Sequence, residues 1–405
     1  MFSEIFFNTL GSEKVLGKNV MSYEISKTAG KLERSHIRAV MEHGFGKDGV
    51  IPLWFGESDE PTPEFIKEAG KAAIDANFTT YPPSAGLPIL RQAISRYMTE
   101  LYGAQISDEQ ITVAASGMQG VMLSFQCLLN PGDKVKIIGP IWPNAANAAR
   151  LLGADVSSFL LDRDEEGRWS LNLERLFSDC DAGCRLLYIN SPNNPTGWVA
   201  TREELAAILE YCRNRGIWLV CDDVYGRMVY EGNSAPSVAE IMTAEDQVIL
   251  LNSFSKAWNM TGWRLGWITA PPEIGLSLAR MTEFNISGAA PFIQKAGQAA
   301  IEQGEEFIRA NRAALKQRRD LVCKGLSAFS RVSIALPEAA FYAYFSVRDV
   351  EDPFAYAIDI LDKTGVGIVP GSAFAHDGPY FRMCFACSPG LLSEALARLE
   401  PHLNR

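Results

Sequence analysis

The stretch Arg185-Leu-Leu-Tyr-Ile-Asn-Ser-Pro-Asn-Asn-Pro-Thr-Gly197 decides the fold of this chain, because a short, mostly apolar run gives way there to turn-forming residues. A nearly continuous apolar run of this length is typical of a strand that is covered on both faces. The prolines and asparagines after Ile189 cannot continue such a strand. The stretch therefore predicts a buried strand whose carboxyl end carries polar side chains.

Comparable runs recur along the chain, separated by stretches with helical patterns. The predicted strands are Ile111–Val113, Lys134–Ile138, Arg185–Ile189, Ile217–Cys221 and Val248–Leu251. Between them, helices are predicted over Asn144–Leu152 and Arg202–Asn214, and Thr201 with Glu204 gives the second helix a capping-box start. Alternating strands and helices indicate an α/β fold with a mainly parallel sheet and right-handed crossovers.

The last hundred residues have a different pattern, in which helices and short apolar runs are mixed. The predicted segments are a long helix over about 302–329, an apolar run at Ala339–Phe345, a helix near Phe354–Thr364 and a short strand around Gly367–Val369. A chain of 405 residues also exceeds what one hydrophobic core usually holds. We therefore predict a three-layer α/β/α large domain over residues 56–300 and a smaller α+β domain made of residues 1–55 and 301–405.

Composition excludes several classes of function. The net charge is −10 and no basic cluster is present, which argues against a nucleic-acid partner. No run approaches the roughly 18 apolar residues of a membrane span, so no membrane partner is expected. The eight cysteines are scattered and the four histidines make no ligand cluster, so we predict no metal site and a reducing, cytoplasmic location.

Polar residues follow several of the predicted strands, at the edge where ligands of such sheets bind. Ser116-Gly-Met-Gln-Gly120 precedes a helix and offers free backbone N–H groups to an anion. Asp222 ends an apolar strand, where a carboxylate needs a partner or a raised pKa. Lys256 lies among hydroxyls and aromatics after the next strand, with Arg264 eight residues further on. Each feature alone has an ordinary structural explanation, but one cofactor, pyridoxal phosphate, uses a lysine, an acid and an anchored phosphate together.

In this combination and order, the motifs resemble those of the fold-type I pyridoxal-phosphate aminotransferases of class I/II, the group that includes aspartate aminotransferase. The matching motifs run from about residue 51 to 385. The resemblance implies that the amino group of an α-amino acid passes to a 2-oxo acid in a ping-pong reaction.

The same resemblance implies a role for each matching residue at the cofactor. Lys256 would form the Schiff base and move the substrate proton, and Asp222 would pair with the protonated ring nitrogen. Asn194 and Tyr225 would bind the phenolate oxygen, and Trp142 would stack on the ring. The residues implied at the phosphate are Ser253, Ser255, Arg264 and the backbone around Gly117, Met118 and Gln119.

Further matches concern the substrate and the assembly. Arg382 would grip the substrate α-carboxylate with two parallel hydrogen bonds, and Gly56 and Asn194 would lie beside it. Tyr81 matches a tyrosine that crosses to the phosphate of a partner subunit, which implies a homodimer with composite sites. We expect His376 to be a solvated loop residue without a role.

The substrate class is less narrowly defined by the sequence. The segment Glu283–Phe292 matches a region from which family members that prefer dicarboxylates often bring a second arginine over from the partner subunit. It contains no arginine, which favours a neutral or aromatic amino acid. Phe55, Trp142 and Tyr342 form either an apolar pocket or part of the core. Two alternatives stay open: a carbon–sulfur or β-elimination lyase of the same fold, and a pyridoxal-phosphate-binding regulatory domain, which would need a basic DNA-binding segment.

Overall fold

A seven-stranded sheet is the central element of the computed structural model, which describes residues 26, 28, 30, 34–180 and 183–404. The strands of the chain are β1 (Ile51–Pro52), β2 (Ile111–Ala114), β3 (Lys134–Gly139), β4 (Asp155–Leu160), β5 (Asp162–Arg163), β6 (Trp169–Ser170), β7 (Cys184–Asn190), β8 (Trp218–Asp222), β9 (Val248–Ser253), β10 (Gly266–Thr269), β11 (Val332–Ile334), β12 (Tyr342–Val347), β13 (Val366–Gly367), β14 (Val369–Pro370) and β15 (Tyr380–Cys384). The central sheet has the order β2-β10-β9-β8-β7-β3-β4. Strand β10 is antiparallel to both neighbours and the other pairs are parallel, which confirms the predicted mainly parallel sheet.

Helices cover both faces of this sheet. The helices are α1 (His36–Gly44), α2 (Glu64–Asp75), α3 (Pro88–Tyr102), α4 (Gly117–Leu128), α5 (Asn144–Leu151), α6 (Leu173–Asp179), α7 (Arg202–Arg215), α8 (Phe254–Ala257), α9 (Pro272–Ile286), α10 (Pro291–Gln303), α11 (Glu305–Ser327), α12 (Pro353–Thr364) and α13 (Pro389–Leu403). Because side chains alternate along a strand, Leu186 and Tyr188 of β7 pack in the core beneath α4 and α5, whereas Leu187 and Ile189 face the core beneath α7. The α/β/α layering is therefore confirmed.

A second, four-stranded sheet is built from the C-terminal part of the chain. Its order is β11-β12-β15-β14 with antiparallel pairs. Strand β1 pairs in parallel with β13, so the segment before residue 55 is tied to the C-terminal region. The exact domain boundaries stay a prediction, and residues 1–25 of the predicted small domain lie outside the described residues.

The long helix predicted over about 302–329 is confirmed as α11, which begins three residues later than predicted because Gly304 separates it from α10. A Cβ atom at Gly304 would lie 2.6 Å from Nε1 of Trp258 and 2.2 Å from the carbonyl oxygen of Ala300. The glycine thus lets the backbone pass close to the indole of Trp258 where α10 ends and α11 begins.

The strand register brings the predicted polar residues to one edge of the sheet. Asn190 at the end of β7 pairs with Asp222 at the end of β8. Gly266, which begins the antiparallel strand β10, pairs with Ser253 at the end of β9 and with Ala114 at the end of β2. The segments that follow these strand ends therefore start side by side.

Candidate active site

The first turn of α4 packs tightly against the end of β9. Ser116 caps the helix, its hydroxyl oxygen accepting the backbone N–H of Gln119 at 3.0 Å. A Cβ at Gly117 would lie 3.2 Å from Cβ of Ser253, and a Cβ at Gly266 would lie 2.8 Å from the backbone nitrogen of Gly117. Glycine at both positions leaves a backbone cradle at a helix N-terminus, the kind of site that binds phosphate.

Lys256 lies in the short helix α8, directly after β9. The side chain of Ser253 caps this helix by accepting the N–H of Ser255 at 3.1 Å. The Lys256 Nζ atom donates to the carbonyl oxygen of Gly56 and lies 5.9 Å from the ring centroid of Tyr225. Burial lowers the pKa of Lys256 to about 8, since the charged amine loses its hydration. A lysine of this kind has a sizeable neutral, nucleophilic fraction near neutral pH.

Asp222 is held by two donors at the end of β8. The Tyr188 hydroxyl donates to Oδ2 at 2.6 Å, and the Val224 backbone N–H donates to Oδ1 at 3.2 Å. Burial raises the pKa of Asp222, while these two hydrogen bonds and the charge of Lys256 act in the opposite direction. The site thus contains a carboxylate whose charge depends on the groups around it.

Arg382 on β15 is a buried cation, 2% exposed. Its Nη1 donates to Oδ1 of Asn194 at 3.0 Å, and its Nη2 donates to the carbonyl oxygen of Trp54. The guanidinium lies between two rings, 4.5 Å from the centroid of Tyr342 and 4.9 Å from that of Phe374. Its Nε has no partner, and no carboxylate within the described ranges forms an ion pair with it. A buried guanidinium held only by neutral groups is suited to an incoming carboxylate.

Two tyrosines of the site, Tyr225 and Tyr342, are hydrogen-bonded to each other. The hydroxyls of Tyr225 and Tyr342 share a hydrogen bond of 2.6 Å. A Cβ atom at Gly56 would lie 1.8 Å from the Tyr342 hydroxyl oxygen, so a side chain there would displace the tyrosine or the segment. Glycine is thus required for the carbonyl of residue 56 to reach Lys256.

The contacts join six of the predicted site residues into one network. Gly56 contacts both Lys256 and Tyr342, and Tyr342 bridges Tyr225 and Arg382. From Arg382 the network continues through Asn194 to Asn190, whose Oδ1 accepts the Asn194 N–H and whose Nδ2 donates to the Asp222 carbonyl. The six predicted residues in the network are Gly56, Asn194, Asp222, Tyr225, Lys256 and Arg382.

Other predicted residues lie around this network without joining it by side-chain hydrogen bonds. Arg264 is exposed and donates to the carbonyl of Thr261 at 2.6 Å, and Tyr81 is 89% exposed. The backbone N–H of Trp142 donates to the carbonyl of Asn194 at 3.0 Å, which places this residue beside the network.

The first-turn residues and the serines also have contacts of their own. Met118 packs against the core beneath α4. The Gln119 side chain bonds the Ala115 N–H and Asn285, and the hydroxyls of Ser253 and Ser255 bond each other at 3.0 Å. These residues keep the cradle in place from the protein side.

Sequence reasoning missed Tyr188 and Asn190. Both lie on β7 two residues apart, so strand alternation places them on the same face of the sheet, at the end where Asp222 lies. The signal was present in the predicted strand, since a hydroxyl in an otherwise apolar buried run needs a hydrogen-bond partner.

The expectation for His376 is wrong. The residue is 9% exposed, and its Nδ1 lies 2.8 Å from the Tyr344 hydroxyl. Its ring stacks on Tyr380 with centroids 4.1 Å apart and meets the edge of Trp169. Burial lowers the pKa of His376 to about 4, so the ring is neutral near pH 7. The sequence predicts a solvated loop around His376, but the hairpin of β5 and β6 covers this loop in the structure.

The residues present fit pyridoxal phosphate. The glycine-lined cradle suits the phosphate, the low-pKa Lys256 suits the aldehyde, and buried Asp222 suits a protonated ring nitrogen. The unpaired Nε of Arg382 leaves donor capacity for a substrate carboxylate.

Comparison with known proteins gives a consistent result. A family model for aminotransferase class I and II matches residues 48–399. An aspartate aminotransferase of Pyrococcus horikoshii is 32% identical over 386 residues, which cover 94% of this chain and 98% of that protein. An aromatic-amino-acid aminotransferase of Thermococcus litoralis is 31% identical over 378 residues, covering 91% and 96%.

A solved structure gives the same result for the fold. A double mutant of Thermus thermophilus aspartate aminotransferase has a TM-score of 0.88 at 30% identity, covering 94% of this chain and 99% of that one. The residues 48–399 that match the family model include both sheets and the network described above. The chain therefore belongs to the class I and II aminotransferases, enzymes that use pyridoxal phosphate to move an amino group from an amino acid to a 2-oxo acid.

Proposed function

We propose that this aminotransferase takes the amino group from a neutral or aromatic α-amino acid and acts as a homodimer in the cytoplasm. The observation that carries the proposal is the buried Arg382, which neutral groups hold close to the network of Lys256. The Arg382 guanidinium can bind the α-carboxylate of an amino acid, and the Lys256 amine can transfer the proton at Cα.

Lys256 has two tasks in this proposal. Bound pyridoxal phosphate supplies an electron sink for the electron pair left on the substrate Cα when its proton is removed. Neutral Lys256 would be the residue that holds the cofactor, and its Nζ would carry the proton removed from the substrate Cα. The pKa of about 8 suits both tasks, since an amine of ordinary pKa would be almost fully protonated at pH 7.

The remaining residues of the site hold and orient the cofactor and the substrate in this proposal. Asp222 keeps the ring nitrogen protonated, Asn194 and Tyr225 bind the ring oxygen, and Trp142 stacks on the ring. Gly56 and Asn194 lie beside the substrate carboxylate that Arg382 binds. The groups proposed at the phosphate are the backbone of Gly117, Met118 and Gln119, the hydroxyls of Ser253 and Ser255, and the side chains of Arg264 and the partner's Tyr81.

The substrate preference rests on the charge around the site. The segment Glu283–Phe292 contains neither arginine nor lysine, and Asn285 within it bonds Gln119 of the first turn of α4 at 2.7 Å. The contact that this segment makes with the cradle is therefore through a neutral side chain, that of Asn285. Phe55 and Trp142 are half-buried near the network and can face an apolar substrate side chain.

An exposed apolar patch supports the dimer. Tyr81 is 89% and Phe284 is 84% exposed, and a Cβ at Gly288 would lie 2.9 Å from Pro82, which places the two segments side by side. Large exposed aromatic patches mark interaction surfaces. A partner subunit over this patch would bury both rings and bring Tyr81 to the second site.

The proposed location rests on the cysteines. All eight are free in the structure, as expected of a protein in a reducing compartment. Across the described ranges, no helix is both long and apolar enough to cross a membrane.

The test is an absorption experiment on the purified protein loaded with pyridoxal phosphate. Single amino acids are added, namely phenylalanine, tyrosine, leucine, alanine and aspartate, and both the loss of the visible band and the release of the 2-oxo acid are followed. The proposal expects neutral or aromatic donors to bleach the band fastest. Faster bleaching by aspartate would overturn the substrate class, and a protein that stays colourless with added cofactor would overturn the site.

A further inference from the structure

Tyr188 is the residue of the site network whose contribution the reaction does not yet explain. It lies on β7, is 1% exposed, and donates its hydroxyl to Oδ2 of Asp222 at 2.6 Å. A tyrosine in the interior of an apolar strand is costly unless its hydroxyl is satisfied, and here the partner is the site carboxylate.

The ring of Tyr188 packs against the layer of helices that contains α4. Its centroid lies 5.9 Å from that of Phe125 on α4, with the planes at 73°, an edge-to-face arrangement. Helix α4 is the helix whose first turn forms the phosphate cradle. Tyr188 therefore connects the carboxylate at the strand end with the helix at the cradle.

The charge balance at Asp222 depends on few groups. The titratable groups that face it are Tyr188 from β7 and Lys256 after β9, while Cys221, Asp223 and Tyr225 lie nearby on its own segment. Burial and the neighbouring Asp222 raise the pKa of Tyr188, so its hydroxyl keeps its proton and stays a donor. Among the described residues, Oδ1 of Asp222 accepts one hydrogen bond, from the Val224 N–H at 3.2 Å, which leaves acceptor capacity for a further donor.

We infer that Tyr188 is a positioning residue that keeps Asp222 ionised and turned toward the ring nitrogen of bound pyridoxal phosphate. The inference rests on the proposed role of Asp222. The neutral Tyr188 hydroxyl, which donates to Oδ2, favours the charged form of Asp222 and fixes the rotation of its carboxylate. Oδ1 is then the oxygen that faces the cofactor.

The test compares cofactor binding in four proteins: the wild type, Tyr188→Phe, Asp222→Ala and the double variant. Tyr188→Phe keeps the ring packing on Phe125 and removes only the hydroxyl. A hydrogen bond to a charged group of this kind corresponds to roughly a ten-fold change or more in the dissociation constant for pyridoxal phosphate. We expect that weakening in the Tyr188→Phe single variant, and less than about a two-fold further change when Asp222 is already alanine.

A second readout separates positioning from a merely structural role. Without the hydroxyl, the pKa of Asp222 is higher, so the carboxylate takes up a proton at a higher pH and the acid limb of cofactor retention moves up the pH scale. In kinetics, kcat falls while KM for the amino acid stays near the wild-type value. Tyr211→Phe is the matched control, because its hydroxyl donates to the backbone carbonyls of Phe177 and Cys180 on another face, and it should behave as wild type.

The outcomes distinguish this inference from the proposed function. Wild-type affinity and pH dependence in Tyr188→Phe would overturn the inference alone, as would equal weakening in the Asp222→Ala background. A wild-type protein that does not bind the cofactor would overturn both.

Discussion

The two ends of the site are built differently. The inner end, made of Asp222, Asn194, Lys256 and Arg382, is mostly shielded from solvent and held by hydrogen bonds and ring contacts within one chain. The outer end, made of the first turn of α4, Arg264 and Tyr81, combines a backbone cradle with two exposed side chains. Interior contacts can preorganise the groups that react, whereas the grip on a phosphate is left to backbone N–H groups and to residues free to meet another surface.

Removing the Lys256 amine should cause the largest loss of activity of any change at the inner end. In Lys256→Ala the amine for proton transfer is gone, so the rate of transamination should fall roughly 1,000-fold, the middle of the range for one acid–base group. Cofactor should still bind through the outer end. The assay is turnover with the best donor, and Lys316→Ala, which removes only a surface ion pair with Glu231, is the control. Near-normal turnover in Lys256→Ala would contradict the assignment.

Changing the arginine should affect substrate rather than cofactor. Lysine cannot form the two parallel hydrogen bonds of a guanidinium, and it leaves Asn194 and the Trp54 carbonyl without a donor. Arg382→Lys should therefore raise KM for both the amino acid and the 2-oxo acid roughly 100-fold, with the cofactor dissociation constant changed far less. Steady-state kinetics and a cofactor titration measure the two effects. Arg331→Lys in the turn before β11 is the control, and equal losses of both affinities would mean that Arg382 is misplaced.

The outer end can be tested by mixing subunits. Tyr81→Phe alone should weaken cofactor binding roughly ten-fold, because one donor to a charged phosphate is lost. If sites are composite, a mixed dimer of Tyr81→Phe and Lys256→Ala chains contains one site with an intact lysine and an intact partner tyrosine. That mixed dimer should recover wild-type cofactor affinity at one site per dimer. Affinity that stays at the Tyr81→Phe level would show that each chain uses its own tyrosine.

The smallest effect concerns the pH dependence of cofactor capture by the apoprotein. Lys256 must be neutral to attack the aldehyde, and its pKa is about 8, so it is half protonated at that pH. The capture rate should rise with pH below this value and then only about two-fold between pH 8 and pH 10, following the neutral fraction. A lysine of ordinary pKa would give a steep rise over the same range. Rapid-mixing absorbance distinguishes the two curves.

The prediction from sequence succeeded where the signal is local. A strand that ends at Ile189 or Cys221 and the polar residue just after it lie within a few positions of each other, so the apolar run and the turn formers identify both. Asp222 and Lys256 were singled out in this way, Asn194 was assigned through the family resemblance, and the structure joins all three in one network. Tyr188 was missed because its partner is 34 positions away and on another strand.

The sequence by itself determined the α/β alternation, the residue types at the strand ends and the family, because these depend on periodicity and on motifs of a few residues. Only the tertiary structure decided the strand order, the burial of His376, and the contact of Arg382 with Asn194, 188 residues apart. The physical reason is the separation of the contacting residues along the chain. Contacts between distant segments depend on how the two sheets and their helices pack, and no short stretch of sequence determines that packing.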